Sequence, residues 1–547
     1  MTRLGRSAAP GGRLEWLLLA LILLVGAYFR FVGLNWDAGH HLHPDERFLT
    51  MVEGAIKPAI ANRTVRDGPV QFTPAGLAEI YFDTQRSGLN PHNVGFGFYV
   101  YGTFPLFVVR LTADAFNSVG YDKVHLLGRA LSGVADLGTV VLTFLIGRRL
   151  YDARVGLLAA AFVALCVLHI QQAHFFVFDS FLVTLIAASF YFCVDIAETG
   201  RWRAFLLAGL FLGLAAATKL SMAIFGVLIA LSAAIWLWRR GIGERGMAGL
   251  RVAAQDGSLS RAAAQGAAAL LVAAAMFRVF QPYAFAGPGP LNLQINPAWW
   301  ANIKYQLDSQ AGTVDLPPSI QWAGTEPLSF PWRHMVVWGT GIPLGLAAWG
   351  GFAMAAAALL VRGRWQHLLV VAWTALCFVY FASVLNKTMR YVLPMYPFIL
   401  LLGAWGLVAF YDWARAQQLA ALNGLSRLPA RLAAVGPQLA AGLAGVILLS
   451  SAAWSFAFTR IYTRPTTRVA ASEWIYQNVP KPSVMANEHW DDPLPLGIPG
   501  NDPASFGGPQ LPLYDPDEPR KIDSLVQVLS RADYINVTSN RLYGSIP

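Results

Sequence analysis

Long apolar runs, cut apart by short arginine-bearing connections, constrain this chain more than any other feature. They fall near 14–34, 124–146, 155–170, 181–196, 204–217, 220–238, 263–280, 335–360, 368–385, 392–411 and 437–458. An α-helix crosses a bilayer with about 20 apolar residues, so the length rule reads these runs as about eleven spans. Lipid offers no partner for a free backbone polar group, which leaves helices or closed barrels as the spanning structures. The expected fold is an all-α polytopic membrane protein. Composition agrees: 55% of residues are hydrophobic and 13% charged, against about 25% charged in soluble domains. Eighteen Trp and eighteen Tyr suit interfacial belts.

The net charge of +10 does not indicate nucleic acid, because the arginines lie between spans. Arg148, Arg149, Arg154, Arg201, Arg203, Arg239, Arg240, Arg362, Arg364, Arg415, Arg427 and Arg431 all fall on one side if the amino terminus is cytoplasmic. That is the positive-inside pattern. The expected setting is a plasma (inner) membrane, with the chain multi-pass, its amino terminus cytoplasmic and everything after about Arg460 outside. The first run is too long for a signal-peptide core and lacks a small-residue cleavage site, so it reads as a retained anchor. Cys166, Cys193 and Cys377 sit inside apolar runs without metal-ligand spacing and read as buried thiols.

Residues 1–459 form the expected membrane domain, with external loops at 35–123 and 281–334. Within the first loop, 98–111 is apolar but broken by Gly102 and Pro105, and reads as a re-entrant or interface-lying helix. Residues 460–547 change character and suggest a small external α/β module. Ser472 to Asn478 looks helical, 483–486 and 534–538 look like strands, and 491–518 is an irregular Pro-, Gly- and Asp-rich stretch. The chain stops just after a strand-like run, so the module is expected to be incomplete as given.

This topology gathers unusual polar residues on the outer face. Asp45 and Glu46, within His43-Pro44-Asp45-Glu46-Arg47, follow the first span. His174 and Asp179 lie in one external turn, Lys219 in another, and Lys387 and Arg390 in a third. Arg129 lies about nineteen residues before Arg148, near the external end of its helix. Taken singly, each has a plain reading: helix-end cations snorkel, His174 packs at an interface, and Asp45-Glu46 is a solvated loop. Asp136, on the same helical face, is the expected partner of Arg129. Together they describe carboxylates and cations that could hold a lipid phosphate while a base activates an acceptor. Asn62-Arg63-Thr64, Asn386-Lys387-Thr388 and Asn536-Val537-Thr538 match the glycosylation triplet but carry no weight at this length.

His43-Pro44-Asp45-Glu46 after a first span resembles the first external loop of polyprenyl-phosphate-dependent glycosyltransferases with the GT-C fold. The nearest group contains the protein O-mannosyltransferases and aminoarabinose transferases, glycosyltransferase family 39. Arg129-Ala130-Leu131-Ser132, Gly147-Arg148-Arg149-Leu150-Tyr151, Leu168-His169-Ile170 with Asp179-Ser180, Ala217-Thr218-Lys219 and Arg390-Tyr391-Val392-Leu393-Pro394 match in kind and order. The resemblance spans about residues 14 to 400. It implies inverting transfer of a sugar from a polyprenyl-phosphate donor on the extracytoplasmic side. Asp45 would be the general base or acceptor-binding carboxylate, with Glu46 its neighbour. Arg129 would hold the donor phosphate. Lys219 and Arg390, with Lys387, Asp179, His174 and His43 nearby, would add phosphate or sugar contacts.

The loop 281–334 is too short for the β-trefoil of eukaryotic protein mannosyltransferases, so the acceptor stays open among lipid, glycan and protein. A carboxylate beside a second carboxylate and an apolar wall is expected to have a raised pKa, which suits a base. No cofactor or divalent metal is expected, because the motif is Asp-Glu and not Asp-x-Asp. A transporter or flippase of lipid-linked sugars is the alternative; it would carry its ionisable residues near the bilayer midplane.

Overall fold

A computed structural model describes residues 12–58, 73–242, 246–538, 540 and 542–547. Part of the loop 35–123, including Asn62 to Thr64, lies outside the described residues. In chain order the α-helices of seven or more residues are α1 (Arg13–Phe31), α2 (Pro44–Ala55), α3 (Pro74–Tyr81), α4 (Phe104–Ala115), α5 (Tyr121–Leu150), α6 (Ala153–Ala164), α7 (Val167–Ala173), α8 (Asp179–Thr199), α9 (Trp202–Ala216) and α10 (Gly226–Leu237). Then follow α11 (Met247–Gln255), α12 (Ser258–Phe280), α13 (Pro297–Ala311), α14 (Ile342–Arg362), α15 (Trp365–Ser383), α16 (Tyr396–Ala421) and α17 (Ala430–Thr459).

Among the described residues, 9 stretches are long and apolar enough to cross a membrane, or up to 10 if α6 and α7 form one bent span. The eleven expected segments all have helical counterparts. Two fall short as plain spans: the 155–170 segment bends by 56° between α6 and α7, and α9 is an apolar helix of the shorter class. The hydrophobic core lies among α5, α6, α8, α9, α15 and α16. Small residues let these helices approach, as membrane packing requires. At Gly209 of α9 a Cβ would sit 2.1 Å from the Ala269 carbonyl oxygen of α12.

The break between α6 and α7 exposes carbonyls inside the bundle, and α1 supplies the donor that satisfies them. Arg30 donates to the Ala164 carbonyl at 2.7 Å and the Val163 carbonyl at 3.1 Å. Its Nε reaches Asp136 Oδ2 at 2.8 Å, and Asp136 Oδ1 holds His169 Nδ1 of α7 at 2.6 Å. All three side chains are fully buried. This corrects the expected pairing of Asp136 with Arg129. Seven residues along a helix separate those two by about 10 Å, and each guanidinium or carboxylate has nearer partners.

The 98–111 piece becomes α4, with Pro105 in its first turn. Its entry docks on the turn before Lys219: Gly102 N donates to the Thr218 carbonyl and Phe104 N to the Ala217 carbonyl. A Cβ at Gly102 would lie 2.0 Å from the Ala217 oxygen, so the contact requires glycine. The loops 35–123 and 281–334 also join, through Thr84 Oγ1 donating to the Phe285 carbonyl at 2.7 Å. Asn302 Nδ2 and His92 Nε2 add a second link at 2.9 Å.

After α17 the chain folds into α18 (Thr467–Asn478), β1 (Met485–Glu488), β2 (Gln510–Leu511), α19 (Pro519–Leu529) and β3 (Tyr534–Asn536). The strands form a parallel sheet in the order β2-β1-β3. The stretch read as irregular therefore contributes the edge strand β2. Two residues carry no detectable strand period.

Candidate functional site

His43-Pro44-Asp45-Glu46 is a helix start. His43 is the N-cap of α2, its Nδ1 accepting from Glu46 N at 3.3 Å, with Pro44 in the first turn. A capping acceptor, a proline whose missing N–H costs nothing there, and two acids at the positive end of the helix dipole all favour that geometry. The expected loop is thus the first turn of a helix, where neighbouring side chains point about 100° apart. Asp45 and Glu46 consequently meet different partners.

Glu46 turns inward and is fully buried, as are Arg129 and Asp37. Arg129 Nε donates to Glu46 Oε2 at 3.0 Å and Nη2 pairs with Glu46 Oε1. Asp37 receives Nη1 at 3.1 Å and Nη2 at 2.8 Å, and the Leu34 carbonyl receives Nη1 at 2.6 Å. Every N–H of the guanidinium is then occupied. Glu46 Oε2 also accepts from Phe176 N at 2.6 Å. Arg129 and Glu46 lock α2 to α5 and the 174–178 turn, and neither presents a free group to a donor phosphate. Sequence position could not reveal this, because it depends on Asp37, which no motif marks.

Asp45 turns the other way. Arg390, from the short helical stretch ahead of α16, ion-pairs with its Oδ2 through Nη1. The Tyr101 hydroxyl neighbours it and favours its ionised form. Both charged side chains stay partly open, at 24% for Arg390 and 27% for Asp45. Beside them, Lys219 Nζ lies 3.5 Å from Asp179 Oδ1 and 4.4 Å from the Tyr391 ring centroid. Arg390 sits 5.7 Å from the same ring. Asp45, Arg390, Lys219 and Asp179 therefore converge from four separate elements, two carboxylates facing two cations. Tyr101 and Tyr391 are the members that sequence reasoning missed.

Burial alone would raise the Asp45 carboxyl, but Arg390, His43 and Tyr101 together hold it below the ordinary carboxylate range. The expected rise is therefore reversed, because the neighbouring carboxylate is engaged elsewhere and a guanidinium faces Asp45. Burial and Asp45 push the Tyr101 hydroxyl well up, so it stays protonated.

The remaining expected residues are placed differently. Burial lowers the His43 imidazole to about 4, and its ring lies 4.4 Å from that of Phe175; it caps a helix as a neutral group. His174 stacks on Tyr462 at 3.7 Å, with its ring nitrogens at the Ile170 and Val32 carbonyls. Its surroundings are those of a packing residue. Lys387 is buried, with Nζ at 3.4 Å from the Leu385 carbonyl, and burial lowers its pKa. Asn386 of the second glycosylation triplet is also buried.

Residues 105–253 match a family model described as dolichyl-phosphate-mannose-protein mannosyltransferase. No curated protein matches the chain. The Archaeoglobus fulgidus oligosaccharyltransferase in its apo form aligns with 87% of this chain and 62% of its own, at 12% identity and a TM-score of 0.51. The chain thus spans less than two thirds of that relative. ArnT from Cupriavidus metallidurans bound to undecaprenyl phosphate gives a TM-score of 0.47 at 15% identity, over 94% of this chain and 95% of that one. The S. cerevisiae protein O-mannosyltransferase complex bound to its sugar donor gives 0.36 at 19% identity, over 51% and 35%. The architecture is that of the GT-C fold.

Proposed function

We propose that this GT-C-fold membrane glycosyltransferase, similar to the protein-mannosyltransferase group, moves a sugar from a polyprenyl-phosphate donor to an acceptor hydroxyl on the extracytoplasmic face. The observation that carries this reading is the partly open Asp45–Arg390 pair beside Lys219–Asp179. In the free protein Asp45 is ionised and neutralised by Arg390. A docking donor phosphate competes for Arg390 and Lys219, and Asp45 is released towards an ordinary carboxylate pKa.

The acceptor oxygen then attacks the anomeric carbon and its proton passes to Asp45. The bond from that carbon to the phosphate oxygen breaks, with inversion, and polyprenyl phosphate leaves as an anion. Arg390 and Lys219 stabilise the charge that develops on the leaving oxygen, so the step needs neither a general acid nor a divalent metal. Purified protein in nanodiscs, offered a panel of polyprenyl-phosphate sugars and a mixed acceptor extract, is expected to transfer one of them. Asp45→Asn is expected to abolish transfer while still binding the donor; a fully active variant overturns the assignment.

A further inference from the structure

The first turn of α2 meets a third partner. Arg47 Nη1 lies 2.6 Å from Asp492 Oδ1 of the C-terminal module. Asp492 Oδ2 takes Arg468 Nη1 of α18 at 2.7 Å, and Arg468 also pairs with Asp491. The Asp492 carbonyl accepts the Thr538 hydroxyl at 2.8 Å. Residues 491–492 follow β1 and Thr538 follows β3. These groups therefore sit at the carboxyl edge of the parallel sheet, and that edge faces the helix carrying Asp45.

Consecutive side chains 45, 46 and 47 leave α2 about 100° apart. Asp45 meets Arg390, Glu46 meets Arg129, and Arg47 meets Asp492. An isolated exposed ion pair holds little, but the Asp492 side chain is only 14% exposed and lies between two arginines. We infer that Arg47 and Asp492 are positioning residues, through which the C-terminal module clamps the first turn of α2 and keeps Asp45 aimed at Arg390 and Tyr101. The module is then a working part of the site and not an appended domain. This rests on Asp45 being the reacting carboxylate.

The test uses the full chain in nanodiscs, with Arg47→Gln, Asp492→Asn, the double variant and Arg47→Lys. The readouts are hydrogen exchange of residues 44–55, quenching of tryptophan fluorescence by undecaprenyl phosphate, and sugar transfer. Each single loss is expected to speed exchange in α2 and lower kcat by about five- to tenfold, with undecaprenyl phosphate binding and donor KM unchanged. The double variant should be no worse than either single one, and Arg47→Lys should recover most of the loss. Unchanged α2 exchange in both single variants, or losses that add, overturns the clamp. The exchange arm decides this even if no sugar is transferred. Conversely, an inactive Asp45→Asn beside undisturbed exchange in Arg47→Gln leaves the reaction standing and removes the clamp.

Discussion

At the scale of residues, adjacent carboxylates divide between two tasks: Glu46 is enclosed with Arg129 and Asp37, and Asp45 opens onto Arg390. Arg129→Lys is expected to act on stability and not on donor affinity, because a point charge cannot replace the forked donors that hold Glu46, Asp37 and Leu34. Uncompensated buried carboxylates cost about 3–5 kcal/mol, and a fall in melting temperature in detergent checks it. A raised donor KM with unchanged stability would return Arg129 to the phosphate. Asp45 has a folded pKa below its unfolded one, so its stabilising contribution is present above the ordinary carboxylate pKa of about 4. It is lost only as the pH falls through the lowered value. Donor-free Asp45 should therefore show no titration between about pH 5 and 8.

Glu53, on the same helix, behaves oppositely. It is fully buried, neither oxygen has a hydrogen-bond partner, and burial raises its carboxyl to about 7. The folded state then binds the proton more tightly than the unfolded one, so stability falls as pH rises from about 4.5 through 7. The ceiling is ~3 kcal/mol. Glu53→Gln should raise the melting temperature at pH 8 and change it little at pH 5; equal shifts at both would show that the carboxyl does not titrate there. Of the site residues, Lys219 and Arg390 were legible, since the expected topology should deplete their turns of cations, and Asp45 and Asp179 were legible as the carboxylates that the same topology puts on their face. The enclosure of Arg129 was not, because it depends on side-chain directions across a break in chain order.

At the scale of elements, the spans were legible because a bilayer imposes length and apolarity on each one separately. The bend between α6 and α7 was hidden, since the apolar run continues across it to Ile170 and no proline marks it. Arg30, Asp136 and His169 show what holds it: a cation on freed carbonyls, an anion behind the cation, and an imidazole on the far half. Asp136→Ala leaves Arg30 uncompensated and should lower stability by about 3–5 kcal/mol, while Asp136→Asn, which keeps one acceptor for Arg30, should cost less. Thermal unfolding in nanodiscs compares them. Transporters use broken helices and buried charges as moving parts; here the break is filled with hydrogen bonds. Transport of a lipid-linked sugar that survives in Asp45→Asn but vanishes in Asp136→Asn would favour that alternative. α2 itself was legible only in retrospect, as its cap, proline and acids form a helix start that the chemistry of the same residues obscured.

At the scale of the whole molecule, the two ends of the bundle differ in how their cations are used. At one end Lys219 and Arg390 face Asp179 and Asp45, and the C-terminal module touches α2 through Arg47. At the other, Arg149 is paired with Asp195 and Glu198, and Arg154 with Asp412. A lipid-phosphate donor suits the first end only if that end is extracytoplasmic, which the arginine bias favours. The three native cysteines are buried, so single introduced thiols can report sidedness. Ser530→Cys, exposed just after α19, and Asn423→Cys, in the exposed turn after α16, lie at opposite ends. In intact cells a membrane-impermeant maleimide should label the first and spare the second, and permeabilisation should expose the second. The reverse pattern would put Asp45 on the cytoplasmic side, away from an extracytoplasmic lipid-linked donor, and the lipid-donor reading would fall with it.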